Sequence, residues 1–186
     1  ELNDAFIEQK NVLQRRQGGM AHIPEDRLGT GLAPLATLWE NIIMGHQNAS
    51  SFSKKGFLLH GSVQQFARQV IKKYDVRVAD DQGQAGALSG GNMQKMIFGR
   101  EMEHGANFLL VSQPTRGVDI SGINYIHEKL LQHRSSGGGV LLISSDLDEI
   151  LKLSDRIAIL YQGRMVAILP REEATRELIG KYMLQG

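Results

Sequence analysis

The sequence predicts an α/β fold, and three observations carry that reading. Two short apolar runs, 108–111 (FLLV) and 140–143 (VLLI), flank a helical stretch at about 122–134. This is the pattern of a buried parallel strand, a crossover helix and a second buried strand. Phe66, Val70 and Tyr74, at four-residue spacing, mark an amphipathic helix over 63–74. Hydrophobic residues make up 41% of the 186-residue chain, enough to bury a core.

The remaining elements are read in chain order. Residues 4–16 carry Phe6, Ile7, Val12 and Leu13 in a polar field and read as a short helix ended by Gly18 and Gly19. Residues 20–24 read as a strand entering a loop at 25–27. The stretch 28–35, with Gly29, Gly31 and Pro34, reads as loop. Thr37 is placed to cap a helix over 38–45, with Glu40 three residues on as its capping-box partner. Residues 48–56 (NASSFSKKG) are polar and read as a mobile segment. Residues 76–87 read as loop and 91–104 as helix. Beyond the second buried strand come a helix over 146–153 and a hairpin, 157–161 with 165–169, turning at Gln162-Gly163. A terminal helix covers 171–184.

Composition excludes several function classes. At about 150 residues per domain the chain is one domain, or one core plus a subdomain. Lys and Arg number 21 against 20 Asp and Glu, so the basic excess of a nucleic-acid-binding domain is missing. Cysteine is absent, which removes disulfides and thiol catalysis. No apolar run approaches the 18 or so residues of a membrane span. The six histidines show no i, i+4 pair, so no helical metal site is read. Met93, Met96 and Met102 read as core packing, and Trp39 either as core or as a buried anchor at a partner contact. Glycine is abundant, 21 residues. The first residue is Glu1, and the expectation is a chain that begins inside a longer one.

The chemistry concentrates in Leu88-Ser89-Gly90-Gly91-Asn92-Met93-Gln94-Lys95. A serine and two glycines open a helix there. Glycines let backbone N–H groups approach an anion, and the helix N-terminus adds about half a positive charge. The Ser89 hydroxyl can donate to a phosphate oxygen. The plain alternative is a helix cap with two flexible glycines.

The full string resembles the LSGGxxQ signature of ABC (ATP-binding cassette) ATPases, and the surroundings resemble that family in the right order. Residues 107–119 (NFLLVSQPTRGVD) look like the Walker B strand and D-loop. Residues 140–149 (VLLISSDLDE) look like the switch strand and the helix after it, and 154–157 (SDRI) like the strand entry that follows. Residues 22–27 (HIPEDR) resemble the glutamine-loop region in the second cassette of sugar and nucleoside importers. The resemblance covers about 18–170. It implies a P-loop-type core with an inserted helical subdomain. The expected organisation is 1–33 as the N-terminal part of the core, 34–104 as helical subdomain ending in the signature helix, 105–170 as the C-terminal part of the core, and 171–186 as a terminal helix.

Four features depart from the family pattern. No Walker A loop, G-x-x-x-x-G-K-[ST], occurs in the chain. The Walker B acids are replaced by Ser112 and Gln113, neither of which can hold Mg²⁺ well or act as a base. The switch histidine position is Ser145, and the glutamine-loop position is Glu25. All four fall on the parts that service a cassette's own nucleotide.

In the family two cassettes pair head to tail, and the signature of one closes on ATP held by the other. The resemblance therefore implies a cassette with a degenerate site of its own. It would lend Ser89, Gly90, Gly91, Gln94 and Asp119 to ATP with Mg²⁺ bound mainly by a partner cassette on the same parent chain, with Gln94 orienting the loop or touching the nucleotide and Asp119 facing the seam between cassettes. Membrane permease subunits would be its other partners, met by the helical subdomain on the cytoplasmic face. The isolated chain is expected not to hydrolyse ATP. The alternative is an inert pseudo-ATPase that keeps the signature for packing. A DNA-repair or chromosome-type ATPase shares the signature, but the coiled-coil heptads it would need are not seen.

Overall fold

The computed structural model describes residues 7–78, 80 and 82–185. The chain divides into two compact units, Glu1–Leu141 and Leu142–Gly186.

In the first unit α1 spans Val12–Gln17 and β1 spans Met20–Ile23. The expected helix over 4–16 starts later than read. Asn11 accepts a bond from the Gln14 amide, Gln14 answers to the Asn11 amide, and the extended backbone of that capping box blocks growth upstream. Residues 4–6 of the expectation lie outside the described residues. The loop read at 28–35 contains one wide helical turn, Arg27–Gly31, capped by Asp26.

Helix α2 spans Leu38–Ile42, with the Thr37–Glu40 capping box present as read. It stops before the expected end at 45. The polar stretch at 48–56 ends in a two-stranded hairpin, β2 Ser53–Lys54 pairing with β3 Phe57–Leu58. Lys55 and Gly56, at φ 52° and 84°, supply the left-handed pair such a tight turn needs. Phe52 pulls the segment inward: it is 6% exposed and packs with Ile43 and Val63.

Helix α3 spans His60–Lys73, three residues longer at its start than its apolar spacing shows. Helix α4 spans Gly90–Glu103, β4 Phe108–Ser112, α5 Ile120–Ser135 and β5 Gly139–Ile143. The sheet order is β1-β4-β5, and β1 runs parallel to β4 with Ile23 opposite Val111. Ala21, Ile23, Leu109 and Val111 form its buried face. Helix α4 packs on β1, α2 and α3, and its Met96, Ile97 and Phe98 are almost wholly buried. Trp39 packs beside Phe66 on the Ile43–Phe52–Val63 core, and its ring meets His60 edge-on at 5.5 Å.

In the second unit α6 spans Leu147–Leu153, β6 Arg156–Tyr161, β7 Arg164–Pro170 and α7 Arg176–Gln185. The hairpin β6–β7 turns at Gln162 and Gly163 as read, and Ile157, Ile159, Leu169, Ala174 and Ile179 form the unit's core. The terminal helix is broken. Residues Arg171–Glu173 make a tighter turn, and Thr175 accepts the Leu178 amide at the start of α7. No helix among the described residues is long and apolar enough to cross a membrane.

Candidate functional site

The signature segment opens α4. Ser89 is its N-cap, with an extended backbone at φ −65° and ψ 155°. Its Oγ accepts from Asn92 Nδ2 at 3.0 Å, and Asn92 Oδ1 accepts from the Arg77 amide at 2.8 Å. Ser89 is exposed nonetheless, and because its oxygen is the acceptor in that bond its O–H remains available to an acceptor. The first N–H groups of a fourteen-residue helix open at the same end.

The two glycines have different surroundings. A Cβ on Gly90 would lie 3.3 Å from Arg27 Nη1 and 3.5 Å from the Gly117 carbonyl oxygen. A Cβ on Gly91 would come no nearer than 3.9 Å to Asp119 Oδ2. Asp119 caps α5, accepting from the Gly122 amide at 2.7 Å and the Ser121 hydroxyl at 2.8 Å. Those bonds, the backbone one first, hold its carboxyl below the ordinary range. The structure thus brings Ser89, Gly90, Gly91 and Asp119 into one neighbourhood.

Gln94, expected either to orient the loop or to touch the nucleotide, lies inside the fold. It is 1% exposed and turned inward, where its Oε1 accepts from Arg27 Nε at 2.7 Å. Arg27 was not singled out by the sequence. It also donates from Nη2 to the carbonyl of Arg116, and Arg116 forms an ion pair with Glu25. Glu25, Arg27 and Arg116 line a cleft of about 660 Å³ together with Asp26, Leu28, Gly90, Met93 and Gly117.

Glu25 is exposed in the loop after β1. Ser112 is the last residue of β4, half-buried, and Gln113 follows at φ 47°, a left-handed backbone unusual for a non-glycine residue. Ser145 lies in the second unit between β5 and α6. Among the described residues no group of three or more acidic or histidine side chains could hold a metal ion.

No family model matches the chain. Curated proteins do. The nucleoside import ATP-binding protein NupA of Lactococcus lactis is 42% identical over 186 residues, all of this chain and 37% of its own length. The guanosine import ATP-binding protein NupO of Bacillus subtilis is 40% identical over 182 residues, 98% of this chain and 36% of its own. A ribose import ATP-binding protein of Oceanobacillus iheyensis is 34% identical, over 95% of this chain and 35% of its own length.

The chain belongs to the ABC ATPase family. Within it, the homologues are sugar and nucleoside import ATP-binding proteins, and the chain spans about a third of the length of those it matches. The fold agrees. The dimeric post-hydrolysis structure of the cassette MJ0796 bound to ADP and Pi superposes with a TM-score of 0.66 at 19% identity, covering 82% of this chain and 62% of that one. A nucleotide-free cassette from an ABC transporter gives 0.66 at 20% identity, covering 88% and 66%.

For an ABC ATPase the donor set divides sharply. The exposed Ser89 hydroxyl and the α4 N-terminus suit a phosphate. Ser112 and Gln113 offer no carboxylate to a divalent ion.

Proposed function

We propose that this chain is the nucleotide-binding part of an ATP-driven importer for sugars or nucleosides, and that it completes an ATP site held mainly by a partner cassette. One observation carries the reading: an exposed, Ser89-capped helix N-terminus stands in a chain whose Walker B positions are the uncharged Ser112 and Gln113. Phosphoryl transfer is catalysed by positioned dipoles and charges around the phosphate. Ser89, Gly90 and Gly91 supply dipoles without needing a base or metal of their own. Asp119 faces the same seam, and Gln94 supports it from within.

The partners in this reading are the second cassette, on the same parent chain, and permease subunits met by the part of the helical subdomain at about 34–87. The chain works peripherally at the cytoplasmic face of the membrane. The relatives' names, guanosine, nucleoside and ribose import, support this substrate class.

Gly91→Asp in the assembled transporter tests it. A carboxylate there meets the phosphates and the neighbouring Asp119. ATPase activity is expected to fall at least about 100-fold, the scale of losing one oxyanion-type donor. Unchanged turnover in a normally assembled complex would overturn the reading in favour of an inert docking module.

A further inference from the structure

We propose that Arg27 is a positioning residue for the signature, holding the N-terminus of α4 in register with the core sheet so that Ser89 and the α4 amides meet the nucleotide. The proposal rests on the reading of a nucleotide site completed by this chain.

Arg27 joins three segments that are remote in sequence. Its Nε donates to Gln94 Oε1 in the second turn of α4 at 2.7 Å. Its Nη2 donates to the Arg116 carbonyl in the loop after β4. Its Nη1 lies against Gly90, at 3.3 Å from where a Cβ would stand. Gly90 therefore leaves the guanidinium room against the helix end, and a Cβ there would require it to shift by a few tenths of an ångström.

The base of the fork is stiff. Arg27 opens the turn Arg27–Gly31, whose cap Asp26 accepts the Gly29 amide at 2.9 Å. That turn follows β1 directly, and β1 is paired to β4 from Met20↔Phe108 to Ile23↔Val111. A planar group with donors in fixed directions, seated on that base, transmits orientation as well as charge. The receiving end is equally defined. Gln94 is 1% exposed, and its Nε2 has no hydrogen-bond partner among the described residues, so the Arg27 bond fixes which way its amide lies.

The electrostatics point the same way. A half-buried cation beside a helix N-terminus adds to the positive end of the macrodipole. Burial lowers the affinity of the guanidinium for its proton. This placement is unfavourable by itself and is relieved by an anion at the same helix end. The exposed Glu25–Arg116 ion pair closes the ring through the Arg116 backbone, so a shift of the Glu25 loop reaches α4 through the same fork.

The test uses the assembled transporter, with steady-state ATPase kinetics and thermal unfolding measured on Arg27→Met, Arg27→Lys, Gln94→Leu and the Arg27→Met/Gln94→Leu double variant. Arg27→Met is expected to raise KM for ATP about tenfold, an effect of about 1.4 kcal/mol, and Arg27→Lys to recover part of it. The double variant is expected to be no worse than Arg27→Met alone, because both act through one bond. Wild-type KM in Arg27→Met would overturn the proposal. Equal loss in the Lys and Met variants, tracking a fall in melting temperature, would also overturn it, since that is fold damage. Gly91→Asp run in parallel separates the two levels. If Gly91→Asp abolishes turnover while Arg27→Met leaves KM unchanged, only the role of Arg27 fails. If Gly91→Asp is silent, the nucleotide-site reading fails and this proposal falls with it.

Discussion

Arg16 of α1 donates from both terminal guanidinium nitrogens to the Glu101 carboxylate in the last turns of α4, at 3.0 and 3.3 Å. Arg100 Nε donates to the same carboxylate at 2.8 Å, and the His22 amide donates to it at 3.3 Å. Arg100 also donates to the Gly31 carbonyl at 2.9 Å. One buried carboxylate therefore ties the C-terminal end of the signature helix to α1, β1 and the turn after β1, while Arg27 ties its N-terminal end. Burial alone would push the Glu101 carboxyl up, but Arg100 and Arg16 beside it more than offset this and hold it below the ordinary range.

Glu101→Leu leaves Arg100, 4% exposed, without its counter-charge. Breaking a buried pair by removing one partner costs about 3–5 kcal/mol. Urea unfolding followed by the fluorescence of Trp39, the only tryptophan of the chain, should show that loss. A change below about 1 kcal/mol, the range of an exposed pair, would contradict the network.

Gly99→Ala should destabilise although alanine favours helix. The added Cβ would stand 2.8 Å from both Tyr74 Cδ2 and Val70 Cγ1, in a packed interface between α3 and α4. Overpacking costs about 1–3 kcal/mol, more than the propensity gain of about 1 kcal/mol. A raised melting temperature would show that the two helices can part freely.

Acid should weaken the fold through histidine. His46 and His104 stack at 3.4 Å between ring centroids. Burial, His104 and Arg16 lower His46 from 6.5 to about 4, and burial also lowers His104 and His22. The folded state keeps these rings neutral where the unfolded state takes up protons below 6.5. Stability is therefore full above that pH and falls as pH drops from 6.5 toward about 4. The urea midpoint should decline between pH 7.5 and 5.5, with a shallower slope in His46→Gln. A midpoint that rises on acidification would contradict the sign.

Local features of the fold were legible because their partners are close in the chain. Thr37 and Glu40, Ser89 before α4, and Gln162-Gly163 each announce a cap or turn within a few residues. The order of motifs made the family legible as well. What stayed hidden depends on distant contacts. Nothing near Arg27 says that it will meet Gln94 sixty-seven residues on, and nothing near Gln94 says that a polar side chain will be buried. Residues 48–56 look like solvated loop until Phe52 finds Ile43 and Val63. The start of α1 turned on Asn11, whose cap outweighs the weak apolar spacing before it.

The central claim is that the Ser89 end of α4 meets a nucleotide held by another cassette. These 186 residues hold no cysteine, so a thiol placed among them can be followed on its own peptide. Ser89→Cys in the assembled transporter places one thiol at the exposed cap, and mass spectrometry of its peptide reports reaction with a maleimide. The account predicts that ATP with Mg²⁺ protects this thiol when the partner cassette is present and leaves it reactive when the partner is absent. Equal reactivity with and without ATP in the complete complex would contradict it.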